Sequence, residues 1–114
     1  MKDFSYLGAG IEKEDMFGGR GKFRAWPFRS IQRHAPFSTT ILCEIAADAH
    51  VGEVLVDDCS EIICVISGCA QITLNGDNHV VAAGQSIDVP RDSRLAVANQ
   101  SDAEPLHYLL QKIS

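Results

Sequence analysis

Glu61 is preceded by Cys59 and Asp57 at two and four residues' remove. On an extended chain, alternate residues share a face, so this spacing puts two carboxylates and a thiol on one side, followed by Ile63 and Val65. Two carboxyl groups in unequal surroundings can divide proton donation from proton acceptance, the drier one keeping its proton to higher pH. Four histidines stand elsewhere. His34 follows a basic stretch, His50 lies in a loop ahead of the acids, and His79 follows an Asn-Gly turn and reads as solvent-exposed. His107 alternates with Tyr108, so only one of them faces inward, where either would bring a polar tip. Arg91 and Arg94 flank a turn at Asp92. They either hold a ligand's carboxylate or phosphate in their planar forks or pair with Asp88, Asp92 or Asp102, contacts that contribute little to stability.

The cysteines, Cys43, Cys59, Cys64 and Cys69, do not have zinc-site spacing. The last three are five apart, and an odd separation on a strand sends neighbours to opposite faces. They read as reduced, small buried hydrophobes. The glycines at 18, 19 and 21 lack the strand–loop–helix setting of a phosphate cradle and read as a flexible loop.

The elements that must carry these residues are short strands. Residues 37–46 are rich in Thr, Ile and Leu and read as a strand. Residues 61–67 form a second, apolar on both faces and so expected to be covered on both. Gly68 ends it. Residues 70–74 alternate and run into Asn75-Gly76, a strong hairpin signal because both turn positions need positive φ. Residues 79–82 return, Gly84 turns the chain into 86–89, and Pro90 and Asp92 turn it into 95–98. A loop over 99–105 precedes a last strand over 106–112. One or two early strands are expected within residues 17–28. This rhythm indicates a sandwich or small barrel.

A chain of 114 residues suits one domain, burying about 65% of its unfolded surface. Residues 1–36 read as an N-terminal extension with one or two strands, and residues 37–114 as the barrel. No apolar run approaches the ~20 residues of a membrane span, and the first five residues lack the apolar core of a leader. A cytoplasmic protein without a membrane partner is expected. The net charge of −5 divides unevenly: residues 1–33 carry seven Lys/Arg against four acids, residues 34–114 three against eleven. The dispersed basic residues and the negative total argue against nucleic acid. The opposed halves suggest charge pairing within or between chains.

From Gly84 the chain reads Gly, five residues, Pro90, one residue, Asp92, two residues, Leu95, three residues, Asn99. Upstream, Glu61 is followed after six residues by Gly68. Over residues 38–112 this frame resembles the two motifs of the cupin superfamily, Gly-x5-Pro-x-Gly-x2-His-x3-Asn and His-x-His-x3–4-Glu-x6-Gly. Asp92 stands at the second Gly and Leu95 at the His. The upstream His positions hold Leu55 and Asp57, or Val54 and Val56 with the longer spacer. The resemblance implies a small all-β cupin, a double-stranded β-helix or jelly roll, whose metal-binding histidines are absent from both motifs.

In that family the ligands point into the barrel mouth, which places Leu55, Asp57, Glu61 and Leu95 there. Neither metal nor any other cofactor is then expected, since a metal would need recruits such as His50, His107 or Cys59. A carboxylate buried among aliphatic side chains has a raised pKa. Glu61 is the expected general acid or base, with Asp57 its second member and His107 a further candidate. Leu55, Cys59, Ile63, Arg94, Leu95, Tyr108 and His50 are expected around a small-molecule ligand. Three functions follow: a metal-independent enzyme for isomerisation, dehydration, epimerisation or cyclisation of a small polar metabolite; a binding module without turnover; or a metalloenzyme with substituted ligands. A homodimer through the N-terminal strands is expected from the resemblance and from the charge asymmetry.

Overall fold

A computed structural model describes residues 4–114. Residues 1–3, including Lys2 and Asp3 of the charge count and part of the stretch read for a leader, lie outside the described residues. Ten strands follow in order: β1 Ile11–Glu14, β2 Lys22–Pro27, β3 Phe37–Ile45, β4 His50–Val56, β5 Ser60–Ser67, β6 Cys69–Leu74, β7 Asp77–Ala82, β8 Ser86–Val89, β9 Ser93–Asn99 and β10 Leu106–Ile113. Short 3-10 turns occupy Ser5–Leu7 and Met16–Gly18. All pairings are antiparallel, in a six-stranded sheet ordered β1-β2-β3-β10-β5-β8 and a four-stranded sheet ordered β4-β9-β6-β7. This is the all-β jelly roll the sequence leads one to expect. No helix among the described residues is long and apolar enough to cross a membrane.

Period-two alternation builds the core between the sheets. Ile63 and Val65 of β5, Cys43 and Ile45 of β3, and Leu106 and Tyr108 of β10 meet Ala70 and Ile72 of β6 and Leu95 and Val97 of β9. Asn75 and Gly76 take φ of 51° and 86° and close the β6–β7 hairpin. Asp92, at the place of the motif's second Gly, also adopts positive φ, 67°; Asp tolerates this region because its short polar side chain bonds locally. Asn99 explains why an amide suits the end of that motif. Its Nδ2 faces the carbonyls of Ile45, Ala46 and Glu104 at 2.8–3.2 Å, and its Oδ1 accepts from Ser101 N, tying the 99–105 loop to the end of β3.

Three local readings are corrected. His50 opens β4 instead of lying in a loop; a register shift between Val51 and Val54, beside Gly52, breaks the alternation that would have announced the strand. The glycine cluster is docked, not a free loop. Arg20 and His50 exchange two backbone hydrogen bonds of 2.9 Å, and a Cβ at Gly52 would stand 2.0 Å from Phe17 O. Missing side chains at Gly19 and Gly52 let the turn lie against β4. β5 buries one face only: Glu61, Ile63 and Val65 are buried, while Ile62, Cys64 and Ile66 are half-covered.

Candidate functional site

Between the sheets lies a cavity of about 290 Å³, near the lower end of small-ligand pockets, about 300–1,000 Å³. Its walls are mostly aliphatic and aromatic. Phe23, Ile41, Ile63, Leu110 and Val97 line the interior; Val54, Leu55, Val56 and Leu95 come from β4 and β9; Met16 and Phe17 come from the docked turn. Phe17 holds a left-handed backbone, φ 54°, with its side chain half-exposed, a conformation bulky residues adopt only under constraint.

The polar groups of this cavity are few. Glu61 and Lys112 are register partners across β5 and β10, with Lys112 Nζ 3.9 Å from Glu61 Oε2 and 3.7 Å from Asp58 Oδ2. Glu61 is 7% exposed and Lys112 30%. Burial raises the Glu61 pKa above the ordinary glutamate value; Lys112 opposes the rise and Asp58 adds to it. Asp58 itself is held low, chiefly by the Cys59 thiol, whose Sγ donates to Asp58 Oδ1 at 3.4 Å, and next by Lys112. Deeper in, Tyr108 and Cys43 stand opposite each other on β10 and β3. Burial pushes the Cys43 thiol up to about 12 and the Tyr108 phenol well above its usual value, so both stay neutral. The arrangement is a mostly apolar chamber with Glu61, Lys112 and Asp58 grouped on one wall.

Glu61, Leu55, Ile63, Leu95 and Tyr108 line the cavity as expected residues of the site. Asp57 does not. It is exposed, and its backbone carbonyl, with that of Asp58, accepts from the Arg91 guanidinium at 3.2 Å. The chain leaves strand geometry after Val56, so the two-residue step back from Glu61 fails and Asp58 takes the inward place. Cys59 is buried outside the cavity lining for the same reason. His107 is corrected most fully. It lies on the opposite face of β10 from Tyr108, 1% exposed, with Nε2 2.8 Å from Glu44 Oε2, Nδ1 3.0 Å from Ser67 Oγ and the Phe4 ring at 4.7 Å. His50 is exposed at the start of β4. Arg94 lies 3.8 Å from Glu53 instead of pairing with Asp88, Asp92 or Asp102. Lys112 and Asp58 are the additions. The period-two step from Tyr108 through Leu110 leads to Lys112 and was available in the sequence; Asp58 needed the irregular 57–59 stretch, which no pattern announces.

No protein-family model matches the chain, and none of the curated proteins matches it in sequence. Solved structures do. A predicted oxalate decarboxylase from Thermotoga maritima superposes with a TM-score of 0.84 at 18% identity, over 99% of this chain and 98% of that one. A cupin 2 conserved barrel domain protein from Salinispora arenicola gives 0.69 at 25% identity, over 81% and 76%. The cupin domain of an XRE family transcriptional regulator from Enterobacter cloacae gives 0.68 at 20%, over 79% and 94%. The chain has the fold of a small cupin.

In this chain the two positions that match the upstream ligands of the cupin motif follow the longer spacer. Val54 pairs with Leu95 across β4 and β9, and Val56 is buried in the cavity wall. Val54, Val56, Glu61 and Leu95 together offer one donor. Among the described residues, no group of three or more His, Cys, Asp or Glu side chains could hold an ion. The charge facing Glu61 is the Lys112 ammonium. These residues do not fit the metal that the cupin fold implies, because divalent ions of that kind need several imidazole, thiolate or carboxylate donors together.

Proposed function

We propose that this cupin acts without metal on a small molecule, with Glu61 as the group that gives and takes the proton. The reaction classes in keeping with one acid–base carboxyl are isomerisation, epimerisation, dehydration and cyclisation, none of which needs an external oxidant. The observation that carries this reading is the Glu61 carboxyl, 7% exposed and raised in pKa by burial, on the wall of a cavity lined mostly by apolar side chains, with Lys112 and the exposed Asp58 beside it. A carboxyl whose pKa lies nearer the working pH is the better proton shuttle. The aliphatic walls favour a substrate with an apolar body, and a binding module without turnover is the second reading that these walls support. The activity named for the Thermotoga protein is not carried over, since an 18% likeness speaks for fold alone.

The protein is further proposed to be a cytoplasmic homodimer without nucleic-acid or membrane partners. Four unpaired thiols suit a reducing compartment. The outer face of the six-stranded sheet presents Ile62, Cys64, Ile66 and Leu109 half-covered, and Ile31 beyond it is 91% exposed.

A thermal-shift screen of small metabolites identifies ligands, because binding to the folded state alone raises its melting temperature. Turnover of each hit is then followed by NMR with the wild type and Glu61→Gln. The enzyme reading predicts binding by both proteins and a loss of turnover of about 10²–10⁴-fold in the variant. Hits that bind and are never transformed establish the binding module, and turnover unaffected by Glu61→Gln removes Glu61 from the chemistry.

A further inference from the structure

Resting on the acid–base reading of Glu61, we infer that Lys112 is its catalytic partner, an ammonium that receives the oxygen of an enolisable carbonyl substrate while Glu61 works on the adjacent carbon. Glu61 and Lys112 sit opposite each other on β5 and β10, both facing the cavity, with Oε2 and Nζ 3.9 Å apart. That is too long for a good hydrogen bond between them and leaves room for a group in contact with both. A carbonyl oxygen and its α-carbon are two bonds apart, a span that such a pair brackets.

Lys112 also has a second carboxylate neighbour. Asp58 Oδ2 lies 3.7 Å from Nζ on the side facing solvent, with a 68% exposed side chain, so Lys112 keeps a counter-charge even when Glu61 is neutral. In this place its N–H groups can donate to a developing negative oxygen. The rest of the substrate is set by the walls. Val54, Val56, Leu95 and Ile63 offer contact and no hydrogen bonds, so the class is a small aliphatic ketone or aldehyde, or a keto compound with an aliphatic tail.

The step balances without a co-reactant. The Glu61 carboxylate takes the proton as the α C–H bond breaks. Its electron pair becomes the C=C bond, and the carbonyl π pair moves to oxygen, where the Lys112 ammonium donates to it. Return of the proton from Glu61 to the same or another carbon of the enolate gives exchange, epimerisation or isomerisation. An enolate oxygen in a dry site gains most from a fixed cation, and removing one such donor costs about 10²–10³-fold in rate.

The test uses the full chain in D2O with three probes, 2-hexanone, cyclohexanone and acetylacetone, and follows loss of α-proton signal by NMR. Wild type is expected to exchange at least one probe about 100-fold or more above buffer. Lys112→Met is expected to lose about 10²–10³-fold while keeping the wild-type circular dichroism, with Lys112→Arg, which retains the cation, recovering part of the rate. Exchange by Lys112→Met at the wild-type rate overturns the role of Lys112, and if Glu61→Gln still abolishes it the acid–base reading of Glu61 stands. Exchange insensitive to both substitutions overturns both. No exchange of any probe above buffer overturns the substrate class proposed here, leaving the proposed function to the metabolite screen.

Discussion

Glu61 is the residue on which cavity, charge and chemistry converge, and its burial has a consequence for stability. Folding raises its pKa, so the folded chain binds this proton more tightly than the unfolded chain. Between the unfolded and folded pKa values the folded state holds the extra proton, and stability therefore falls as pH rises through that window. Glu61→Gln removes the titration and keeps the shape. The variant is expected to be more stable than wild type at neutral pH, with the difference shrinking to nothing as pH falls below the ordinary glutamate value. Urea unfolding at neutral and acidic pH measures this, and a variant less stable at neutral pH would show that the Lys112 contact outweighs burial. Ile63 was legible from alternation, and Glu61 and Leu95 from the motif frame that the chain resembles. Asp57, Cys59 and His107 were misplaced because alternation holds only within an unbroken strand, and because it cannot choose between the two faces when His107 and Tyr108 both look suitable.

The docked turn Met16–Gly18 and strand β4 form one mechanical unit at the cavity mouth. Their contact depends on Gly52, where a Cβ would meet Phe17 O at 2.0 Å and Gly19 N at 3.0 Å. These neighbours are backbone atoms and cannot swing aside. Gly52→Ala is expected to cost about 1–3 kcal/mol and to move Met16 and Phe17 from the mouth, weakening whichever ligand the screen identifies. Chemical denaturation and ligand titration of the variant check both effects; unchanged stability would mean the turn is not seated on β4 as described. The strands from β5 to β10 were legible because Gly68, Asn75-Gly76, Gly84, Pro90 and Asp92 punctuate clean alternation. β4 escaped because its bulge between Val51 and Val54 interrupts the pattern. The docking of the 16–19 turn escaped as well, since contacts between distant backbones leave no periodic trace.

At the scale of the molecule, the outer face of the six-stranded sheet carries the proposed homodimer. Ile62, Cys64 and Leu109 alternate with the cavity-lining Ile63, Tyr108 and Leu110, and covering them removes apolar surface from water. The basic N-terminal third and the acidic remainder favour a pairing that sets one against the other. Sedimentation is expected to give a dimer, with Leu109→Arg shifting it to monomer; a wild-type monomer at high concentration would remove the proposal. The jelly roll itself was readable from strand rhythm and from the Gly84–Asn99 frame, and so was the absence of the motif histidines; which upstream pair takes their places, Val54 and Val56 or Leu55 and Asp57, needed the register of β4 against β9. The proposed chemistry then depends on one buried carboxyl, Glu61, with Lys112 beside it. The most direct test is a carbon-13 NMR titration of the Glu61 side-chain carboxyl, assigned with Glu61→Gln. The midpoint is expected above the ordinary glutamate value of about 4.3; a midpoint at or below that value would contradict the account.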